Sequence, residues 1–351
     1  MFNLDTLIRD NIKRMKPYSS ARGEFQGEAS VFLDANENPF NNPYNRYPDP
    51  LQRALKQKIA QLKGVPPESI FLGNGSDEPI DLLIRAFCEP GRDAIVTLDP
   101  TYGMYEVAAN TNDVECRKVL LDADFQMDLP AIKEAAGSNA KLIFLCSPNN
   151  PTGNLLNREQ MLSLVEWFEG IVVVDEAYID FAPGKSLMNE LVAHENLVIL
   201  QTFSKAWGLA GIRLGMAFAS APLIGVLNKI KYPYNVNVLT QKVGLEMLES
   251  VNQHNLWVEE LFAGRALLQK ELVSLPYVRK VFRSDANFVL VRVDDPLSVY
   301  RYLMQNGIIV RNRHSVALCA GCLRITVGSS AENETLLAAM RAFPLDRCSM
   351  V

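Results

Sequence analysis

The sequence predicts an α/β chain, with a large domain on a mostly parallel sheet followed by a smaller α+β domain. Three observations predict it. A length of 351 residues exceeds the size at which a single hydrophobic core stops growing. Between about residues 50 and 240, short β-branched runs alternate with stretches whose apolar residues recur at helical spacing, the pattern of βαβ units. Beyond residue 240 the alternation gives way to a long helical stretch and then separate strands.

Residues 1–30 are too polar to form a domain and read as an arm that packs on the small domain or on a partner subunit. Residues 31–240 form the expected large domain. In it, 69–72, 94–97, 141–145, 171–174 and 197–200 are near-continuous apolar runs, as in strands covered on both faces. The stretches 77–87 and 157–168 repeat apolar residues at helical intervals. In residues 241–351, the expected small domain, 241–275 reads as helical and 288–293, 307–310 and 323–326 as strands.

Composition is that of an ordinary globular protein, 48% hydrophobic and 21% charged. A net charge of -5 with no run of Lys and Arg argues against a nucleic-acid partner. No segment approaches the roughly 18 uninterrupted apolar residues of a membrane span, and the first residues lack the apolar core of a signal peptide. A cytoplasmic protein is expected. The six cysteines (Cys88, Cys116, Cys146, Cys319, Cys322, Cys348) are scattered and suit reduced thiols. Cys319 and Cys322 lack the second pair that a zinc ribbon needs, so no metal is expected. His194 and His254 read as surface residues, and three histidines with no fitting Ser or Cys partner give a hydrolase triad little support.

Chemistry concentrates at strand ends. Asp175 follows the apolar run 171–174, where ligands of parallel sheets collect and a carboxylate is costly without a cation or donors to meet. It could equally cap the next element. Lys205 lies just past the run 197–200; lysines there are usually solvated, but Ser204 and Arg213 flank it with a hydroxyl and a planar fork of donors suited to a phosphate. Gly73-Asn-Gly75-Ser76-Asp77 opens a helix whose N-terminus is a natural anion seat. It is not a dinucleotide fingerprint, because Glu78 stands where the third glycine belongs. Ser147-Pro-Asn-Asn150-Pro-Thr-Gly153 makes a rigid turn after another strand.

Together Gly75-Ser76-Asp77, Asn150-Pro-Thr-Gly153, Asp175-Glu-Ala-Tyr178 and Ser204-Lys205 with Arg213 resemble the fold-type I aminotransferases, which depend on pyridoxal 5'-phosphate (PLP). Leu33-Asp-Ala-Asn-Glu-Asn-Pro39, Arg46-Tyr47-Pro48, Pro100-Thr-Tyr102-Gly-Met-Tyr105 and Cys322-Leu-Arg324-Ile-Thr-Val-Gly328 narrow the resemblance to the histidinol-phosphate aminotransferases, from about Tyr18 to Phe343.

The resemblance implies that Lys205 holds PLP as a Schiff base and moves a proton during the reaction, while Asp175 pairs with the pyridine nitrogen. It implies that Tyr178 and Asn150 bond the phenolic oxygen, that Tyr102 stacks on the ring, and that Gly75, Ser76, Asp77, Ser204 and Arg213 hold the phosphate. Tyr47 would reach that phosphate from the other subunit of a homodimer. Arg311 and Arg324 would grip the phosphate of L-histidinol phosphate, with Tyr18 near its imidazole and Asn150 also facing the substrate. Packing is the ordinary fate of such tyrosines and solvation that of such arginines. The reaction implied converts L-histidinol phosphate and 2-oxoglutarate to imidazole acetol phosphate and glutamate, in histidine biosynthesis. Aromatic aminotransferases and threonine-phosphate decarboxylases share most of these motifs. A non-catalytic regulator would need a DNA-binding segment that this acidic chain lacks. Trp207 stands where relatives often carry Phe or Tyr, and Arg313-His314 has no assigned role.

Overall fold

Buried runs of Val, Ile, Leu and Phe become the strands of one central sheet in the computed structural model, which describes residues 2–18, 24–25 and 29–344. The strands are β1 (Ile70–Asn74), β2 (Ala94–Asp99), β3 (Glu115–Leu120), β4 (Ala140–Cys146), β5 (Ile171–Asp175), β6 (Leu197–Thr202) and β7 (Leu214–Phe218), in the order β1-β7-β6-β5-β4-β2-β3. The pairs β2–β3, β2–β4, β4–β5 and β5–β6 are parallel, and only β7 runs antiparallel to its neighbours β1 and β6. The sheet is therefore mostly parallel.

Helices in this part of the chain are α1 (Leu4–Leu7), α2 (Asp10–Arg14), α3 (Arg53–Lys63), α4 (Asp77–Phe87), α5 (Met104–Thr111), α6 (Leu129–Ala136), α7 (Arg158–Trp167) and α8 (Ala221–Ile230). Side chains alternate across a strand, so each central strand feeds two cores. Ile143 and Leu145 of β4 and Val172 and Val174 of β5 join residues of α3, α6 and α7 on one face. Leu142, Phe144, Ile171 and Val173 join α4, α5 and α8 on the other. Each such fully buried side chain contributes about 1.5–3 kcal/mol, which is why these strands read as unbroken apolar runs.

The second sheet holds β8 (Val278–Val281), β9 (Phe288–Val293), β10 (Arg311–Asn312) and β11 (Cys322–Thr326), all antiparallel, in the order β10-β11-β9-β8. Helices α10 (Val251–Leu272), α11 (Pro296–Gln305) and α12 (Ser330–Arg341) accompany it, whereas α9 (Val238–Leu248), which precedes them, packs against α3 beside the first sheet. A capping box in which Ser329 and Glu332 satisfy each other's backbone N–H groups starts α12.

Several expectations change. The helical stretch 241–275 is two helices that meet at Glu249 and Ser250, and Gly244 of the first lies against Leu55 of α3 and Leu214 of β7. The apolar run 307–310 is not a strand: Ile309 is exposed and laddering begins only at Arg311, because the run has no neighbour to pair with. Strands β3, β7 and β8 went unanticipated. The arm's first part packs on the large unit rather than on the second sheet, with Leu4, Leu7, Ile8 and Ile12 against the α4–α8 core and Arg9 paired to Glu89 at 3.1 Å. The rest of the arm in part, and Cys348, lie outside the described residues. His254 is buried, its ring stacked on Trp207 at 4.1 Å, because α10 turns it inward rather than to solvent.

Candidate active site

Parallel strands point their C-terminal ends to one edge, and β1, β4, β5 and β6 deliver there the segments after Asn74, Cys146, Asp175 and Thr202. The antiparallel β7 begins at the edge where those strands finish. Its register sets Leu214 beside Asn74 and Gly215 beside Thr202, so Arg213, one residue before it, arrives among the loops. The Gly75 N–H donates to the Arg213 carbonyl at 2.8 Å.

One pocket is lined by nine of the residues singled out from sequence: Gly75, Ser76, Asp77, Tyr102, Asp175, Tyr178, Ser204, Lys205 and Arg213. Asp175 is buried at the floor. Tyr105 donates its hydroxyl to Oδ2 at 2.7 Å and the Ala177 N–H reaches Oδ1 at 3.0 Å. Burial pushes the Asp175 carboxyl up to about 6, against the opposing effect of those two bonds. The Lys205 amine sits 5.5 Å above the centroid of the Tyr178 ring. Burial, then the nearby Arg324 guanidinium, lowers its pKa below that of a free lysine, which favours the nucleophilic amine. Tyr178 is itself buried and held edge-on by Phe288 at 5.2 Å.

The opposite end of the pocket suits an anion. Helix α4 begins at Asp77, and Ser76 at its N-cap makes no side-chain capping bond, so first-turn N–H groups are left for another acceptor. Ser204 Oγ is buried without a hydrogen-bond partner. Arg213 pairs with Asp77 at 3.1 Å, and Tyr102 donates to the other Asp77 oxygen at 3.0 Å. A Cβ at Gly75 would stand 2.4 Å from Arg213 Nη2, so glycine is what admits the guanidinium here. A cradle for a phosphate, a buried carboxylate and a depressed-pKa lysine therefore share one pocket, the donor set that PLP requires.

Asn150, also buried, is held from the second sheet: Arg324 donates to its Oδ1. The neighbouring Asn149 braces the turn instead, donating to the Pro100 carbonyl at 2.9 Å and to Thr152 Oγ1 at 2.8 Å. Arg311 is the cross-strand partner of Arg324. Two predicted residues are not brought in by this chain alone. Tyr47 stacks on Tyr234 at 4.4 Å in an exposed cleft, and Tyr18 is 70% exposed in another. Tyr105 was missed; its place in the first turn of α5, three residues after Tyr102, was the available signal.

The model of the family described as aminotransferase class I and II matches residues 27–340. The histidinol-phosphate aminotransferase of Parabacteroides distasonis is 59% identical over 345 residues, covering 98% of this chain and 100% of that one. That of Bacteroides fragilis is 58% identical over 344 residues, again 98% and 100%. Among solved structures, histidinol-phosphate aminotransferase from Sinorhizobium meliloti in complex with pyridoxal-5'-phosphate superposes with a TM-score of 0.78 at 25% identity, covering 85% of this chain and 83% of that one.

Proposed function

Since this chain belongs to the class I and II aminotransferases, and within them to the histidinol-phosphate aminotransferase family, we propose that it transfers the amino group of L-histidinol phosphate to 2-oxoglutarate. The products are imidazole acetol phosphate and glutamate, a step of histidine biosynthesis. Among the described residues no helix is long and apolar enough to cross a membrane, and a cytoplasmic setting is the one this reading implies. The observation that carries the substrate is the facing pair Arg311 and Arg324 on the second sheet, with Arg324 reaching across to Asn150 in the first.

The cofactor is PLP, which when bound supplies an electrophilic carbonyl and a ring that withdraws electrons from the substrate's α-carbon. Lys205 is the amine assigned to hold it, and its Nζ then moves the proton from the substrate's α-carbon. Asp175 would face the ring nitrogen and, as a carboxylate, would hold the proton there. Tyr178 and Asn150 are assigned to the phenolic oxygen, and Tyr102, whose hydroxyl is anchored on Asp77, to the ring face. Gly75, Ser76, Asp77, Ser204 and Arg213 are assigned to the phosphate. On the substrate side, Arg311 and Arg324 hold the phosphate of histidinol phosphate or, in the second half-reaction, a carboxylate of glutamate, while Tyr18 faces the imidazole.

A homodimer in which Tyr47 completes the partner's site belongs to the same reading. Its support is an exposed apolar surface around Tyr47: Leu33, Phe40, Tyr44 and Leu239 are all more than half exposed, and Tyr44, Tyr47 and Leu239 line one cleft. Patches of that kind mark protein interfaces.

The deciding experiment offers histidinol phosphate, histidinol, phenylalanine and threonine phosphate to the holoenzyme and follows loss of the bound cofactor's visible absorbance. Histidinol phosphate should convert it fastest. Equal use of histidinol, or carbon dioxide release from threonine phosphate, would overturn the substrate assignment while leaving the PLP chemistry intact.

A further inference from the structure

Strand β10 carries Arg311 directly opposite Arg324 of β11. The ladder extends one step further, because the Arg313 N–H donates to the Cys322 carbonyl at 2.9 Å. Residues two apart on a strand share a face, and so do residues directly opposed across a ladder. Arg311, Arg313 and Arg324 therefore project from the same side of the sheet. Arg324, stacked on the Phe288 ring at 5.3 Å and bonded to Asn150, turns that side toward the pocket.

Opposed like charges are unfavourable in a ladder. Among the described residues none of the three arginines forms an ion pair with an Asp or Glu, and Nε of both Arg313 and Arg324 is buried without a partner. Arg313 is pushed down to about 10 by burial and then by Arg324 and Arg311, and Tyr178, at the mouth of Lys205, feels the field of both Arg324 and Arg313. Such a cluster is stabilised when an anion sits between the guanidinium groups.

We propose that Arg313 is a third guanidinium ligand of the substrate's phosphate and the residue that makes this pocket prefer a phosphate dianion to a carboxylate. The proposal rests on the function proposed above and deepens it. A phosphate monoester presents three terminal oxygens and close to two negative charges, whereas a carboxylate presents two oxygens and one charge. Two arginines saturate a carboxylate. A third finds an acceptor only on the phosphate, so Arg313 acts on one half-reaction and is idle in the other.

The test compares wild-type holoenzyme with Arg313→Gln and Arg313→Lys. It measures kcat/KM for histidinol phosphate, kcat/KM for glutamate in the reverse half-reaction, and inhibition of the glutamate reaction by inorganic phosphate. Arg313→Gln should lose about 10- to 100-fold on histidinol phosphate, the scale of one charge-assisted hydrogen bond, and bind inorganic phosphate correspondingly more weakly. Glutamate turnover, melting temperature and cofactor absorbance should stay near wild type. Arg313→Lys keeps the charge without the fork and should fall between, and it carries the test if the glutamine variant does not fold. Unchanged phosphate inhibition, or equal losses on both substrates, would overturn the proposal. Should wild type fail to distinguish histidinol phosphate from histidinol, the function proposed above fails, and phosphate inhibition of the glutamate reaction still decides the role of Arg313.

Discussion

Tyr105 and Asp175 form a buried pair, the phenol donating to the carboxylate at 2.7 Å with both side chains almost wholly removed from solvent. The bond orients the carboxylate and also lowers its pKa, opposing the burial that lifts Asp175 to about 6. Removing the hydroxyl should therefore raise that pKa. An acid whose pKa rises is protonated over a wider acidic range, and a protonated Asp175 no longer offers the negative charge that would hold the proton on the ring nitrogen. Tyr105→Phe should bind PLP about tenfold more weakly near neutral pH, the order of one hydrogen bond to a charged group. Its loss of affinity on acidification should begin at higher pH than in wild type. Cofactor titration of the cofactor-free protein across pH 5 to 8 checks this; superimposable profiles would assign Tyr105 to packing alone.

Lys205→Ala should abolish turnover and the visible absorbance of the covalently held cofactor while the fold survives, since only an amine can make that bond. Asp175→Asn should still bind PLP but turn over far more slowly, because an amide cannot hold the ring-nitrogen proton. Absorbance spectra with single-turnover rates separate the two. Normal turnover by Lys205→Ala would remove the basis of the site assignment.

Mixing Lys205→Ala with an impaired Tyr47→Phe chain should restore activity to about a quarter of the sites, because half the dimers are mixed and one site in each has both residues intact. The readout is activity against mixing ratio, alongside sedimentation of each chain. A monomer in sedimentation, or no recovery with a Tyr47→Phe chain that is impaired alone, would exclude shared sites.

Gly215→Ala should destabilise the protein by about 1–3 kcal/mol and weaken PLP binding together. A Cβ there would stand 2.2 Å from the backbone of Gly75 and Ser76, which are main-chain atoms in the anion cradle. A flexible side chain could move aside; this backbone cannot do so without disturbing the start of α4. Melting temperature and cofactor dissociation constant should shift in step, and a wild-type constant would show that the cradle tolerates the displacement.

Strand ends were legible because a strand covered on both faces must be apolar throughout, so Asp175 after 171–174 and Lys205 after 197–200 stand out as polar residues at a costly place. Strand β7 was not legible. Gly215 interrupts its apolar run, and the reason for that glycine is the close approach of β1, which lies more than a hundred residues earlier. Edge strand β3 was hidden for the opposite reason: with solvent along one side, Glu115–Leu120 has no need of an apolar run.

The sequence by itself determined the two-part α/β architecture, the chemical groups of the pocket and the family, because each depends on local composition and on short motifs in order. Only the tertiary structure decided which groups meet. The antiparallel course of β7 brings Arg213 to Gly75, the fold of α5 over the sheet aims Tyr105 at Asp175, and the β10–β11 register gathers three arginines on one face. Those relations join residues far apart in the chain, where pairing register and burial act across space and leave no local periodicity to read.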